Sequence, residues 1–284
     1  MENIYVIGAG CMGGAILSGL RKTFGLAHLR VIETDSVRSE YLAVRGFQVG
    51  KSIDTIDDDD IVILAVPPDQ FQKSVENNPA LLTHCGPVIS VMAGVTIDLL
   101  SKILRHARLV RSIPNTPSEV QEGMTLYYVR DDTDAQLISI SQSIFGSIGQ
   151  CAQVADENQI DSATAFAGGG PALVAYFANA LQIYAEHQGF DSEAARAMTI
   201  QLLYGTALLL RATGKTSMQL CKEVQTPSGT TERAIQLLDS HNLNKSIFAA
   251  LTAAAERSAE LGRSLHERHD YDYGTARPDE GSSR

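Results

Sequence analysis

Three glycines near the start of the chain have the spacing of a phosphate-binding turn. The run from Asn3 to Ile7 is rich in β-branched and aromatic residues, and Gly8, Gly10 and Gly13 follow it, directly before an apolar helical pattern. Glycine permits a sharp turn, a close approach of the backbone to pyrophosphate, and tight helix packing. The amino end of the helix then attracts phosphate. The stretch predicts a dinucleotide site, and the strand and helix around it argue against a Gly-rich turn without a ligand.

An acidic residue follows the second predicted strand, where a dinucleotide would place its ribose. Glu33 ends the run Leu29–Ile32 and lies twenty residues after Gly13. Glu33 and Asp35 favour a free ribose diol and therefore NADH, whereas Arg38 could pair with the 2′-phosphate of NADPH. We expect NADH, with NADPH left open.

Three further apolar runs are typical of strands that helices cover on both faces. They are Ile61–Val66, Val88–Val91 and Leu109–Ile113, and each ends in small residues or proline. Open α/β sheets bind ligands at the carboxyl ends of their strands. We therefore expect one sheet edge to carry Ala65, Val66, Pro67, Ala93, Gly94, Asn115 and Pro117.

The alternation of strand and helix extends to about residue 158, and only helical patterns follow. This predicts an α/β fold, with a Rossmann-type doubly wound sheet in residues 1–158 and an all-α domain in residues 159–267. Residues 268–284 are polar and predict a disordered tail. Pro171–His187 is apolar nearly all round and should be buried on every side, more than one chain of this size easily covers. We therefore infer a dimer that shares a helical core.

Composition narrows the class of partner. The formal charge of −10 disfavours nucleic acid and anionic membranes. The most apolar helical pattern, Ala172–Ala185, is shorter than a membrane span. Four scattered cysteines and the run Asp57–Asp60 lack the spacing of metal ligands, so no metal site is predicted. These features, and the missing signal peptide, predict a cytoplasmic protein that binds small molecules and copies of itself.

Two Gly-rich stretches in the helical half could bring backbone close to a ligand. Residues 167–171 are Ala-Gly-Gly-Gly-Pro, and residues 226–231 are Thr-Pro-Ser-Gly-Thr-Thr, directly before a helix. The second combines a helix amino end with several hydroxyls and could hold a carboxylate. Taken alone, it would fit an ordinary N-cap with a proline turn better than a ligand site.

Several blocks together resemble the pyrroline-5-carboxylate reductase family. They are Val88–Thr96, Arg111–Pro117 with the Gly123-Met124-Thr125 that follows, and Val224–Thr231 with Leu237-Leu238-Asp239. Their order and separation match the family from Ile4 to about Leu265. The resemblance implies reduction of a cyclic imine acid, L-1-pyrroline-5-carboxylate, to L-proline with NADH or NADPH. It also implies a helical dimerisation domain and, in many members, a ring of dimers.

The resemblance also implies roles for individual residues. Thr231 would be catalytic, with its hydroxyl near the imine nitrogen. The substrate would contact Thr226, Ser228, Gly229, Thr230, Thr231 and Gly169. The cofactor would contact Ile7, Gly8, Gly10, Cys11, Met12, Gly13, Glu33, Ala65, Val66, Pro67, Ala93, Gly94, Asn115 and Pro117. A cyclic imine protonates near neutral pH, so the site needs a fixed carboxylate and a near hydride donor rather than a metal.

This chain departs from the family pattern at several pocket positions. Residues 167–173 lack two hydroxyls and a phenol that the family carries, Ser228 replaces a glycine, and Pro67 replaces a lysine. These changes leave open another cyclic imine as substrate. A β-hydroxyacid dehydrogenase is a more distant alternative, because 172–187 lacks the lysine of those enzymes. A non-catalytic regulatory protein that binds NAD is the alternative from another class.

Overall fold

The chain forms two compact units. The first combines the residues up to Gly169 with the chain from Thr252 onward, and the second is Gly170–Leu251. The computed structural model describes residues 3–105, 108–131 and 134–274, and of residues 265–274 it describes the backbone alone. The boundary expected at residue 158 stays a prediction.

The first unit is built around an eight-stranded sheet. Its strands are β1 (Ile4–Ile7), β2 (Leu29–Ile32), β3 (Gln48–Gly50), β4 (Ile61–Leu64), β5 (Val88–Ser90), β6 (Leu109–Ile113), β7 (Gly123–Val129) and β8 (Gly149–Gln153). Their order in the sheet is β3-β2-β1-β4-β5-β6-β7-β8. Strand β7 runs antiparallel to β6, and the other neighbouring pairs are parallel. The order reverses direction at β1, which confirms the doubly wound fold class.

Eleven helices of the described chain complete the two units. The first unit holds α1 (Cys11–Phe24), α2 (Ser36–Val44), α3 (Phe71–Glu76), α4 (Ile97–Leu104), α5 (Ala135–Gly146) and α6 (Asn158–Ala163). The second unit holds α7 (Gly170–His187), α8 (Ser192–Thr213), α9 (Ser217–Val224) and α10 (Thr230–Ser240), and α11 (Leu243–Gly274) begins there and ends in the first unit.

Helix α11 is longer than the sequence pattern indicates. The pattern predicts its end near residue 266 and a disordered tail from residue 268, whereas the helix continues to Gly274. The added segment contains Glu, Arg and His, which a helix tolerates without an apolar face. The rest of the predicted tail lies outside the described residues.

The core of the first unit lies on both faces of the sheet. Ile4 and Val6 pack on one face, with apolar residues of α1 and α5. Ile7 packs on the opposite face, with residues of α3 and α4. This arrangement explains the continuous apolar runs of the central strands.

The acidic run before β4 has a structural use. The Asp60 carboxylate is buried and accepts hydrogen bonds from the backbone and side-chain nitrogens of Asn3, at 2.8 and 3.1 Å. Its second oxygen accepts from the N–H of Asp57, at 3.1 Å. Asp58 accepts from the N–H of Cys85, at 3.0 Å. The run therefore ties the start of β1 and the segment before β5 to the entry of β4.

Helix α7 forms where the sequence predicts, but its own chain leaves it open. Within the described residues of the single chain, none of its side chains is buried, and Tyr176 is 79% exposed. One chain has too few elements to cover an all-round apolar helix, which agrees with the inference that a second copy shares this core. Among the described residues, no helix is long and apolar enough to cross a membrane.

Candidate functional site

The turn between β1 and α1 depends on missing side chains. Gly8 has a φ of +87°, and a Cβ there would lie 2.8 Å from the carbonyl oxygen of Ala65. A Cβ at Gly13 would lie 2.0 Å from the carbonyl oxygen of Gly8. Both positions therefore require glycine, for the turn and for close packing of the helix on it.

The amino end of α1 is open to a ligand. Gly10 is the N-cap, and a Cβ there would have no described atom within 4 Å. Cys11 and Met12 follow as the first residues of α1 and carry N–H groups that lack intrahelical partners by geometry. This open, positive helix end fits the pyrophosphate of a dinucleotide.

Glu119 approaches this helix end from the β6–β7 connection. Its Oε1 accepts a hydrogen bond from the Cys11 thiol, at 3.3 Å. That hydrogen bond, with partial burial, raises the pKa of Cys11. The thiol therefore stays protonated at neutral pH and acts as a donor. The sequence analysis did not single out Glu119.

Glu33 is directed inward in the structure. It is 6% exposed, and its Oε2 and Oε1 accept the N–H groups of Ala9 and Asp35, both at 2.9 Å. Arg38 Nη1 lies 3.2 Å from Oε2. Burial would raise the pKa of Glu33, but these donors hold it below its ordinary value. Glu33 thus links the glycine turn to the start of α2, a role that its spacing from Gly13 does not reveal.

A cavity of about 830 Å³ lies beside α1 and α2. Gly10, Cys11 and Glu119 line it near the glycine turn, and Asp35 and Arg38 line it near the end of β2. Its other charged residues are Arg21 and Arg45. Arg45 stacks over the ring of Tyr41, 3.8 Å from the ring centre. Three guanidinium groups against two carboxylates make this cavity favourable for anionic ligands.

The remaining predicted cofactor residues follow neighbouring parallel strands. Ala65, Val66 and Pro67 follow β4, Ala93 and Gly94 follow β5, and Asn115 and Pro117 follow β6. The backbone N–H of Ala65 donates to the carbonyl of Ile7, at 2.8 Å. The structure therefore brings the ends of β1, β4, β5 and β6 together along one edge of the sheet.

Asn115 uses its side chain to hold the protein backbone. It is 9% exposed, its Oδ1 accepts from the N–H of Met124 at 2.8 Å, and its Nδ2 donates to the carbonyl of Ala167 at 3.1 Å. Ala167 belongs to a π-helical turn, Thr164–Gly168, which is closed by the N–H of Gly169 on the carbonyl of Thr164. Such turns are frequent at functional sites. The side chain of Asn115 therefore supports this turn.

The predicted substrate loop lies in the second unit. Ser228 has a φ of +58°, a conformation that glycine adopts more easily, and its N–H donates to Glu232 Oε2 at 2.6 Å. The N–H of Gly229 donates to the carbonyl of Thr226 at 2.8 Å. A Cβ at Gly229 would lie 2.2 Å from the Thr226 hydroxyl oxygen. The loop is thus fixed by Glu232 and by the missing side chain at residue 229.

Gly229 is also the N-cap of α10, so Thr230 and Thr231 are its first residues. Thr231 is half-buried and Thr230 is exposed. Gly169, the remaining predicted substrate residue, follows the π-helical turn and ends the first of the two segments that form the first unit. The structure therefore groups residues 226–231 locally and places Gly169 in the other unit. The substrate-binding roles of all these residues stay predictions.

Two family models match the chain in separate regions. Residues 3–94 match the model described as NADP oxidoreductase, coenzyme F420-dependent. Residues 157–261 match the model described as pyrroline-5-carboxylate reductase dimerisation. The first match covers the glycine turn and the strand ends through Gly94, and the second covers α6 to α10 and α11 as far as Leu261.

Full-length relatives agree with these matches. The chain is 31% identical over 263 residues to a pyrroline-5-carboxylate reductase of Synechocystis sp., covering 91% of this chain and 97% of the relative. It is 29% identical over 270 residues to pyrroline-5-carboxylate reductase 2 of Bacillus subtilis, covering 92% and 95%. A solved pyrroline-5-carboxylate reductase of Coxiella burnetii is 33% identical, covers 92% of this chain and 98% of its own, and has a TM-score of 0.81. The chain therefore belongs to the pyrroline-5-carboxylate reductase family.

Proposed function

We propose that this protein reduces L-1-pyrroline-5-carboxylate to L-proline with a reduced nicotinamide cofactor. The observation that carries the proposal is the match to pyrroline-5-carboxylate reductases over nine-tenths of the chain, joined to a glycine turn built for pyrophosphate. When bound, the cofactor supplies the hydride that the imine carbon accepts. The chain's own residues bind and orient the two reactants.

On the cofactor side, the backbone does most of the binding. The N–H groups at Cys11 and Met12 hold the pyrophosphate at the amino end of α1. Ala65, Val66 and Pro67 border the ribose, and Ala93 and Gly94 border the nicotinamide. Asn115 and Pro117 lie near the ring, and the hydrogen bonds of Asn115 suggest that it acts there by fixing backbone.

On the substrate side, the loop of residues 226–231 holds the carboxylate. The N–H groups of Thr230 and Thr231 are at the amino end of α10 and suit an anion. The Thr231 hydroxyl hydrogen-bonds at the ring nitrogen. Because the imine is already protonated near neutral pH, orientation matters more here than a strong acid.

The role of Thr231 is tested by removing its hydroxyl. We expect Thr231→Val to lower kcat at least about tenfold, because a hydrogen bond at the reacting nitrogen is lost. Thr231→Ser keeps the hydroxyl and is expected to retain most activity. The measurement is oxidation of the reduced cofactor with DL-1-pyrroline-5-carboxylate, and circular dichroism checks folding. Equal kinetics for both variants would contradict the assigned role.

We propose NADPH as the preferred cofactor, in place of the NADH expected from the acidic residues. Glu33 and Asp35 both accept internal N–H groups, which leaves them less free to hold ribose hydroxyls. Arg38 is 45% exposed on the same cavity and suits a 2′-phosphate. The match to an NADP oxidoreductase model points the same way.

Arg38→Gln is expected to lower the ratio of kcat/KM for NADPH to that for NADH about tenfold, since one charge-assisted contact is lost. Arg130→Gln is the matched control, because Arg130 directly follows β7 and pairs with Asp98 outside the cavity. A wild-type preference for NADH, or a ratio that Arg38→Gln leaves unchanged, would overturn this cofactor proposal.

A second candidate function is reduction of a different cyclic imine acid. The observation that favours it is Ser228, which places a side chain at a positive-φ position of the substrate loop. Five-membered and six-membered imine acids compared in one assay would decide between the two reactions. Turnover of neither, with dinucleotide bound, would favour the non-catalytic regulatory protein.

The dimerisation match and the exposed apolar side chains of α7 and α8 support a homodimer. A ring of dimers is the finer proposal, and sedimentation of the full chain tests it.

The cytoplasmic location inferred from the cysteine pattern stays a prediction.

A further inference from the structure

Arg111, in the middle of β6, is buried with two carboxylates. Its side chain is 1% exposed, Nη1 lies 3.2 Å from Glu157 Oε1, and Nη2 lies 2.7 Å from Asp161 Oδ1. A buried guanidinium without such partners would be strongly destabilising. Arg111 therefore fixes the positions of two acidic side chains at the start of α6.

Each of these carboxylates holds a second group. Glu157 Oε1 accepts the backbone N–H of Ile97 at 2.8 Å, and Ile97 is the first residue of α4, directly after the loop that follows β5. Asp161 Oδ1 accepts the hydroxyl of Ser258 on α11, at 3.1 Å. The network thus connects β6, the end of the β5–α4 loop, and the part of α11 that belongs to the first unit.

One turn beyond Ser258, α11 touches the same loop through backbone alone. A Cβ at Gly262 would lie 2.7 Å from the carbonyl oxygen of Gly94. A Cβ at Gly94 would lie 3.1 Å from the backbone nitrogen of Gly262, and Gly94 has a φ of +76°. Glycine inside a helix lowers stability, so Gly262 is explained by the close approach of the Gly94 backbone to α11. The loop therefore packs against a helix surface that has no side chain.

We propose that Gly262, supported by Ser258 and the Arg111 network, positions the Ala93–Gly94 loop for the nicotinamide half of the cofactor. This rests on the proposed function, which assigns Ala93 and Gly94 to that half. Gly262 is a positioning residue, because it acts through Gly94. A methyl group at residue 262 must displace the Gly94 carbonyl, and the displacement moves the loop that borders the ring.

Gly262→Ala should therefore weaken one half of the site selectively. We expect the Kd of NADPH, followed by nicotinamide fluorescence, to rise at least about fivefold, because the ring loses its fitted wall. The Kd of 2′,5′-ADP, which contains only the adenosine half, should stay unchanged. General damage to the fold would weaken both ligands, so the ratio of the two constants measures positioning.

Gly146→Ala is the matched control, because Gly146 is also a helical glycine but is exposed, and a Cβ there would meet no described atom within 4 Å. Ser258→Ala is a milder variant, and its NADPH Kd should rise about twofold to threefold with 2′,5′-ADP unaffected. It provides the test if Gly262→Ala does not fold.

Equal weakening of both ligands, or no change in either, would overturn the positioning role. Wild-type protein that binds NADPH but reduces no pyrroline carboxylate would contradict the proposed reaction instead. The binding ratios still decide the role of Gly262 in that case, since they need no substrate.

Discussion

The two units differ in how much of their structure one chain can stabilise. In the first, every residue of β4 and β6 is buried, and backbone clashes alone dictate glycine at the turn after β1. In the described part of the second unit, α7, α9 and α10 contain no buried residue, and α8 buries only Ala195 and Thr199. The single chain thus stabilises the first unit by itself, whereas the second unit depends on cover from outside the chain.

The largest expected effect tests the rigidity of the first unit. Gly13→Ala should weaken NADPH binding at least about a hundredfold and lower the free energy of unfolding by about 2 kcal/mol, because its Cβ would overlap the Gly8 carbonyl. Titration of nicotinamide fluorescence and urea unfolding measure the two quantities. Gly14→Ala is the control, since its Cβ would lie 3.8 Å from the nearest oxygen. Equal effects of Gly13→Ala and Gly14→Ala on binding and on unfolding would contradict the need for glycine at residue 13.

A second experiment tests the need of the helical unit for cover. Tyr176→Glu on α7 should raise the dimer Kd about thirtyfold, because a charge replaces an exposed aromatic side chain at the expected interface. Val44→Glu is the control, on an equally exposed position of α2 in the first unit. Analytical ultracentrifugation measures both. If Val44→Glu dissociates the dimer and Tyr176→Glu does not, the interface lies on the first unit, and the need of the helical unit for cover is contradicted.

The smallest expected effect concerns the strained position in the substrate loop. Ser228→Gly relieves a positive φ but adds freedom to the unfolded chain, so the free energy of unfolding should change by less than about 1 kcal/mol. The N–H bond to Glu232 does not need the side chain and should persist. Thermal unfolding checks this. A loss above about 2 kcal/mol would mean that this loop is as tightly constrained as the glycine turn.

The fold was predictable because its signals are local. Short runs rich in apolar residues form β1, β2, β4, β5 and β6. Helices α8 and α9 of the second unit begin at caps that the sequence identifies. Thr216 and Gln219, for example, form the capping box that their spacing predicts. The apolar pattern of α7 predicts that it needs cover from a second copy, but it does not identify the surface that provides the cover, because that surface lies outside the chain.

The positions of the site residues along the chain were predictable, but the orientations of their side chains and their partners were less so. The spacing from Gly13 locates Glu33, yet the N–H groups that hold its carboxylate inward belong to residues whose approach depends on the folded turn. Arg111 stands in an apolar strand pattern, and its partners lie 46 and 50 residues further along the chain. Asn115 reaches Ala167 across 52 residues. Such long-range partners have no periodic signal in the sequence.

The division of the first unit along the sequence has a consequence for synthesis. Residues 170–251 stand between its two parts, so a ribosome completes the second unit's chain before Ser258 and Gly262 are made. The hydrogen bond to Asp161 and the contact with Gly94 therefore form only after the second unit's chain has been made. We expect a nascent chain to hold its sheet and glycine turn early. It should gain its finished Ala93–Gly94 loop only after residues 258–262 have been translated.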